Sequence, residues 1–128
     1  MMKKIISLFI IIIVAFSCKQ EEEFFTVSGK ITNGNGEKIF LVELTNSSIN
    51  VLDSTILNEE GTFLFKGQTN IPKFYALRTN SNNYITLVID HLDNIVINSD
   101  IHNLWKNAKI SGSKTSNEIL DLLKELDG

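Results

Sequence analysis

One residue of the 128 carries a thiol, Cys18, and two carry an imidazole, His91 and His102. A lone cysteine makes no intramolecular disulfide and no zinc site built on several thiolates. In an exported chain a free thiol is a liability unless a modification consumes it. His91 stands in Asp90-His91-Leu92-Asp93-Asn94, which offers two carboxylates and an imidazole, but the spacing matches no EF-hand or zinc pattern. A polar turn between strands accounts for the same residues. No local pattern joins His102 to His91. Acyl transfer would need a serine or cysteine beside a base. Ser47, Ser48, Ser54 and Ser81 lie instead in turn-like or strand contexts, without a Gly-x-Ser-x-Gly elbow. Gly34 and Gly36 read as turn residues rather than a phosphate cradle, and the adjacent Glu59 and Glu60 point opposite ways if extended. Trp105 is either a ligand-facing aromatic or a plug for the open edge of a small core. The expectation is a chain with no catalytic residue, no metal and no cofactor.

Cys18 acquires a meaning from what precedes it. Lys3 and Lys4 form a short positive segment, and residues 5–16 are apolar except for Ser7, the arrangement of a signal peptide. Twelve residues of helix rise about 18 Å, short of the roughly 30 Å hydrocarbon core, so a finished transmembrane span is not expected. Ala15 and Ser17 place small side chains three and one positions before Cys18. The stretch Val14-Ala15-Phe16-Ser17-Cys18 resembles a lipobox, although Phe16 is bulkier than its usual occupant. The resemblance implies cleavage between Ser17 and Cys18 and a diacylglycerol on the thiol, and two or three acyl chains make a stable anchor. Residues 18–23, rich in glutamate, read as an acidic tether. They also resemble the export signal of some surface-displayed lipoproteins. The expected location is the cell envelope, lipid-anchored at the outer membrane.

The elements that would hang from this anchor follow from the rest of the chain. Its length allows one domain. Setting the first seventeen residues aside leaves ten basic against fifteen acidic residues, a net charge of −5. An acidic domain lacks the clustered basic surface that nucleic acid requires, so no nucleic-acid partner is expected. From Phe24 onward, short β-branched and aromatic runs alternate with Asn, Gly, Asp and Ser clusters, the pattern of strands and turns. Val27, Gly29 and Ile31 fall on one face of the first run, which predicts a half-buried strand. Residues 33–36 supply positive φ for a tight hairpin, which predicts that strand 38–44 pairs with the first. Further strands are expected at 49–57, 62–66, 73–79, 84–90, 94–98 and 108–111. Phe63 and Phe65 anchor one face, and a hairpin joins 73–79 to 84–90. The fold class is all-β: an antiparallel sandwich of about eight short strands over residues 24–114, with one C-terminal α-helix. That helix, 115–128, opens on a Thr115-x-x-Glu118 capping box. It aligns Ile119, Leu120, Leu122, Leu123 and Leu126 on one stripe.

Several segments, in this order, carry a family likeness: Val27-Ser28-Gly29-Lys30-Ile31, Ile39-Phe40-Leu41, Asp53-Ser54, residues 60–67, and Ile110-Ser111-Gly112-Ser113 before the helix. The run from Phe24 to Leu126 resembles a domain-of-unknown-function family at the N-termini of lipoproteins, where it commonly precedes a thioredoxin-like domain. The resemblance implies an accessory module beside a redox domain. No Cys-x-x-Cys occurs here, so redox activity transfers to no residue. The expected role is a membrane-anchored interaction domain, contacting an envelope protein through sheet edges, Trp105, Leu122 or Leu126. The alternatives are a small-ligand binder with a cavity between its sheets, or the N-terminal part of a thiol:disulfide oxidoreductase.

Overall fold

Period-2 alternation of apolar and polar residues builds the observed strands. The computed structural model describes residues 23–80 and 82–127, so the expected signal peptide, Ser17, Cys18 and nearly all of the tether lie outside the described residues. Eight strands are present: β1 Phe25–Thr32, β2 Lys38–Leu44, β3 Ile49–Ile56, β4 Thr62–Gly67, β5 Lys73–Arg78, β6 Tyr84–Ile89, β7 Asn94–Asp100 and β8 Lys109–Ser111. Two helices follow β7 and β8: α1 Leu104–Asn107 and α2 Lys114–Asp127. One sheet runs β4-β1-β7-β8 and the other β3-β2-β5-β6. Val27, Ile31, Phe63, Phe65, Ile95 and Ile97 of the first sheet meet Ile39, Leu41, Tyr75, Leu77, Ile85 and Leu87 of the second in one buried core. Phe25 and Tyr75 lock the layers together, their rings tilted by 60° with centroids 5.4 Å apart. Phe63 and Phe65 share the inner face as predicted.

Three expectations need correction. First, β1 and β2 do not form a hairpin: β1 pairs with β4 and β7, whereas β2 pairs with β3 and β5. Residues 33–36 do turn the chain with positive φ at Asn33 and Gly36, but they carry it across from one sheet to the other. Gly36 N donates to Leu57 O and Leu57 N to Glu37 O, which pins this crossing to the end of β3. The sandwich is antiparallel-dominated, as expected, with one exception: β1 and β7 pair in parallel from Thr26↔Asn94 to Thr32↔Asp100. A parallel pair needs a long connection, and the five intervening strands supply it.

The last two concern the helices. The start of α2 is capped by Ser113, not by Thr115: Ser113 Oγ accepts from Ser116 N at 3.2 Å, and Thr115 lies inside the first turn. The leucines do not form one stripe either. At about 100° per residue, Leu122 sits roughly 160° around the helix from Leu120. Leu120 is accordingly buried, while Leu122 is exposed and Leu126 is 76% exposed. The four-residue helix α1 was not foreseen; Asn103 caps it, its Oδ1 accepting from Lys106 N at 3.1 Å.

Helix α2 closes an open sheet edge. β6 pairs with β5 on one side only, and on the other Val88 N donates to Ser116 Oγ at 3.0 Å. The hydroxyls of Ser116 and Ser113 both lie 3.2 Å from Val88 O and donate to it. Asn117 Nδ2 donates to Ile110 O at 2.7 Å, and Lys124 Nζ to Ala108 O at 3.3 Å, tying the helix to β8 and to the residue before it. Edges covered in this way cannot template a further strand.

Candidate functional site

The chemistry-bearing residues are dispersed to opposite ends of the sandwich. His91 occupies the turn between β6 and β7, and His102 follows the far end of β7, a strand of seven residues. At about 3.3 Å per residue that separates them by some 20 Å. In the His91 turn, Asp93 Oδ2 accepts from Asp90 N and Asp90 Oδ1 from His91 N, both carboxylates being spent on the backbone. The imidazole contacts Glu23 Oε2 at 3.0 Å through Nε2 and Thr69 O at 3.3 Å through Nδ1. Among the described residues no three His, Cys, Asp or Glu side chains converge. Ser48 is engaged by Thr45 across a turn, Ser54 lies on β3, and Ser81 is outside the described residues. Glu59 and Glu60 are exposed in the turn before β4.

His102 belongs to a cluster that sequence reasoning missed. Thr32 Oγ1 donates to Asp100 Oδ2 at 2.7 Å, His102 N to Oδ1 at 3.0 Å, and Asn33 Nδ2 to Oδ2 at 2.6 Å. His102 Nδ1 also contacts Oδ1 at 2.7 Å. The Thr32 hydroxyl foremost, then the two His102 contacts and Asn33, holds the Asp100 carboxyl well below the usual carboxylate range. The cluster braces the parallel β1/β7 pair where β1 ends and the chain crosses between sheets. No sequence signal could have shown it, since 67 positions separate Asn33 from Asp100. Because the folded-state value is depressed, the stabilisation is complete above the unfolded carboxylate value near 4 and is lost as pH falls through the folded one. Asp100→Asn should therefore lower the melting temperature at pH 7, and the gap from the unaltered chain should close progressively below about pH 4. Thermal unfolding followed by circular dichroism across pH 2–7 checks this.

Trp105 packs against the core through α1 and also lines a groove of about 420 Å³ with Tyr84, Thr86, Leu120, Leu123 and Leu126. Leu126 thus borders the groove, and Leu122 lies outside it. A larger open cleft, about 1300 Å³, sits at the end where β1 begins and is lined by Glu23, Phe24, Lys66, Thr69, Lys73 and His91 among others.

The surface that differs most from an ordinary sandwich is β3. It is an edge strand of eight residues, Ile49–Ile56, in which Ile49, Val51, Leu52 and Ile56 are all exposed. Edge strands are commonly defended by lysine, proline or a covering element; β3 contains neither residue type. Its single irregularity is at Leu52, an extra residue opposite the Leu41/Val42 step of β2. The sequence did expose the apolar residues of β3, but not that they would face outward at an edge.

Fold and surfaces together define a two-sheet β domain, closed on one edge by a helix and open on another at β3. The family model described as a domain of unknown function, DUF4369, matches residues 25–119, and the chain belongs to that family. No curated protein matches the chain.

Proposed function

We propose that this protein is a lipid-anchored component of the cell envelope whose β-sandwich is a non-catalytic interaction module, receiving its partner along β3. The observation that carries the reading is the exposed apolar β3 edge. Apart from the Ser54 N–H, which donates to Asp53 Oδ1 at 2.8 Å, its outward N–H and C=O groups offer main-chain hydrogen bonds to an added strand, and its apolar side chains offer specificity. The bulge at Leu52 divides the edge in two, which discourages indefinite addition of further copies and favours one shaped partner. The anchoring half of the proposal rests on Lys3, Lys4, the apolar run and Cys18. The partner we propose is a thioredoxin-like domain, the neighbour implied by the family resemblance.

Mass spectrometry of the mature chain should find acyl groups on Cys18 at the N-terminus, and Cys18→Ala should release the protein from the membrane fraction. An unmodified Cys18 in the mature protein removes the anchor. Titrated against a purified thioredoxin-like domain from the same envelope, Val51→Lys should weaken binding at least tenfold with little loss of stability. A lysine on an exposed edge opposes strand addition, whereas exposed substitutions usually change stability by no more than about 0.5 kcal/mol. Unchanged affinity would move the contact elsewhere.

A further inference from the structure

The two ends of the sandwich differ in their turns. At the end remote from residue 23, the turns span residues 33–37, 57–61, 79–83 and 100–103, and no large apolar side chain of their described residues is exposed, although Ile56 and Tyr84 flanking two of them are. The turns present Asn33, Asn35, Glu37, Glu59 and Glu60 instead. At the near end, where the chain arrives at β1, each of three adjacent segments offers one apolar side chain to solvent. These are Phe24 before β1, 38% exposed; Ile71 in the β4–β5 loop, 60%; and Leu92 in the β6–β7 turn, 52%. Phe24 and Leu92 border the same cleft as Thr69 and Asn70, which adjoin Ile71 in sequence.

Leu92 is the telling residue. Its φ is +61°, the left-handed region that glycine or asparagine ordinarily fills in a turn closed, as here, by Asp93 N donating to Asp90 O. A leucine held there and exposed contributes nothing to the core and strains the turn that presents it. Around these three side chains stand Lys66, exposed, and Lys73, whose Nζ lies 3.4 Å from Glu43 Oε1. The acidic groups at this end are engaged within the protein: Glu23 with His91, and Asp90 and Asp93 with turn amides.

We infer that this end is a lipid-contacting surface, in which Phe24, Ile71 and Leu92 enter the headgroup region of the bilayer while Lys66 and Lys73 lie at the level of the phosphates. The inference rests on the anchored reading above, and the occupant follows from chain length. Residues 18–23, fully extended, span at most about 22 Å, so an anchor at Cys18 keeps this end, and not the opposite one, next to the membrane. Side chains with an apolar body and a cationic tip suit an interface of this kind. The consequence is a fixed posture: the near end sits on the lipid, and β3 runs from that end toward the opposite one.

The chain's only tryptophan, Trp105, lies past the far end of β7, which makes a fluorescence test direct. The full acylated chain is reconstituted in phosphatidylethanolamine and phosphatidylglycerol vesicles brominated at shallow acyl positions. The indole introduced by Leu92→Trp, in a Trp105→Phe background, should be quenched, as should that of Ile71→Trp in the same background. Trp105 of the unaltered chain should not be. An acylated chain whose indoles at both positions escape quenching overturns this inference and leaves the anchor standing. A chain lacking acyl mass and found in the supernatant overturns both. Indoles that escape bromolipid but become shielded from aqueous iodide when an envelope protein is added would assign the surface to a protein partner, against the inference.

Discussion

Gly29→Ala should remove most of the domain's stability and leave it only marginally folded at ambient temperature. Gly29 lies in the middle of β1, which is flanked by β4 and β7, and its φ is +149°. A Cβ built there would stand 1.7 Å from Ile97 O and 2.6 Å from Ile97 C, both backbone atoms of the parallel neighbour. No rotamer relieves that clash, so β1 and β7 would have to part where their pairing is in register, Gly29↔Ile97. Overpacking costs about 1–3 kcal/mol, and a residue forced into a sparsely populated backbone region about 1–3 more. The sum, about 4 kcal/mol, approaches the whole stability of a small domain at the lower end of the range near 5 kcal/mol. Gly36→Ala is the control. Its φ is also positive, at +86°, but nothing lies within 4 Å of the added carbon. That variant should lose only the left-handed penalty, about 1–2 kcal/mol. Urea denaturation of the two variants side by side separates steric contact from backbone preference. Equal losses would show that the close approach of Ile97 is not what demands glycine.

What could be read in advance, and what could not, divides along the range of the forces involved. The strands were legible because alternation is local: Val27 and Ile31, or Phe63 and Phe65, announce a buried face within a few residues. Pairing was not legible. Asn33 and Gly36 satisfy the same backbone requirement whether the chain reverses into a hairpin or crosses between sheets. The outcome is decided by β4 and β7, which occupy both sides of β1. The helix was legible as a helix, but its start was ambiguous. Thr115-x-x-Glu118 and Ser113-x-x-Ser116 both place a capping side chain three residues ahead of a partner. The choice was made by the unpaired amide of Val88, 28 positions before Ser116. Among candidate sites, Cys18 was a reading of type and spacing alone. The β3 edge, the Asp100 brace and the exposed leucine at position 92 emerge only once the strands are ordered in space.

The buried hydroxyl of Ser116 at the helix start carries the second large effect, which differs sharply between neighbouring residues. Ser116 is fully buried and fills three roles: it accepts from Val88 N, donates to Val88 O and contacts Ser113 Oγ at 2.7 Å. Ser116→Ala leaves Val88 N–H without its partner under a helix that excludes water, at a cost of about 1–3 kcal/mol. The weakened Ser113 cap adds up to about 1 kcal/mol. For a domain of this size a total near 3 kcal/mol lowers the melting temperature by roughly 12–24 °C. Ser113→Ala should cost only about 1 kcal/mol, because Ser116 still serves both Val88 groups. Thr115→Ala, which would have been the costly change had Thr115 been the cap, should be neutral within about 0.5 kcal/mol. A further consequence concerns association. When α2 loosens, β6 becomes a further open edge, so the Ser116→Ala protein should self-associate on warming before it unfolds, while Ser113→Ala does not. Thermal melts with parallel light scattering read both effects. A costly Thr115→Ala together with a silent Ser116→Ala would mean that the helix is held by its own capping and not by the strand it covers.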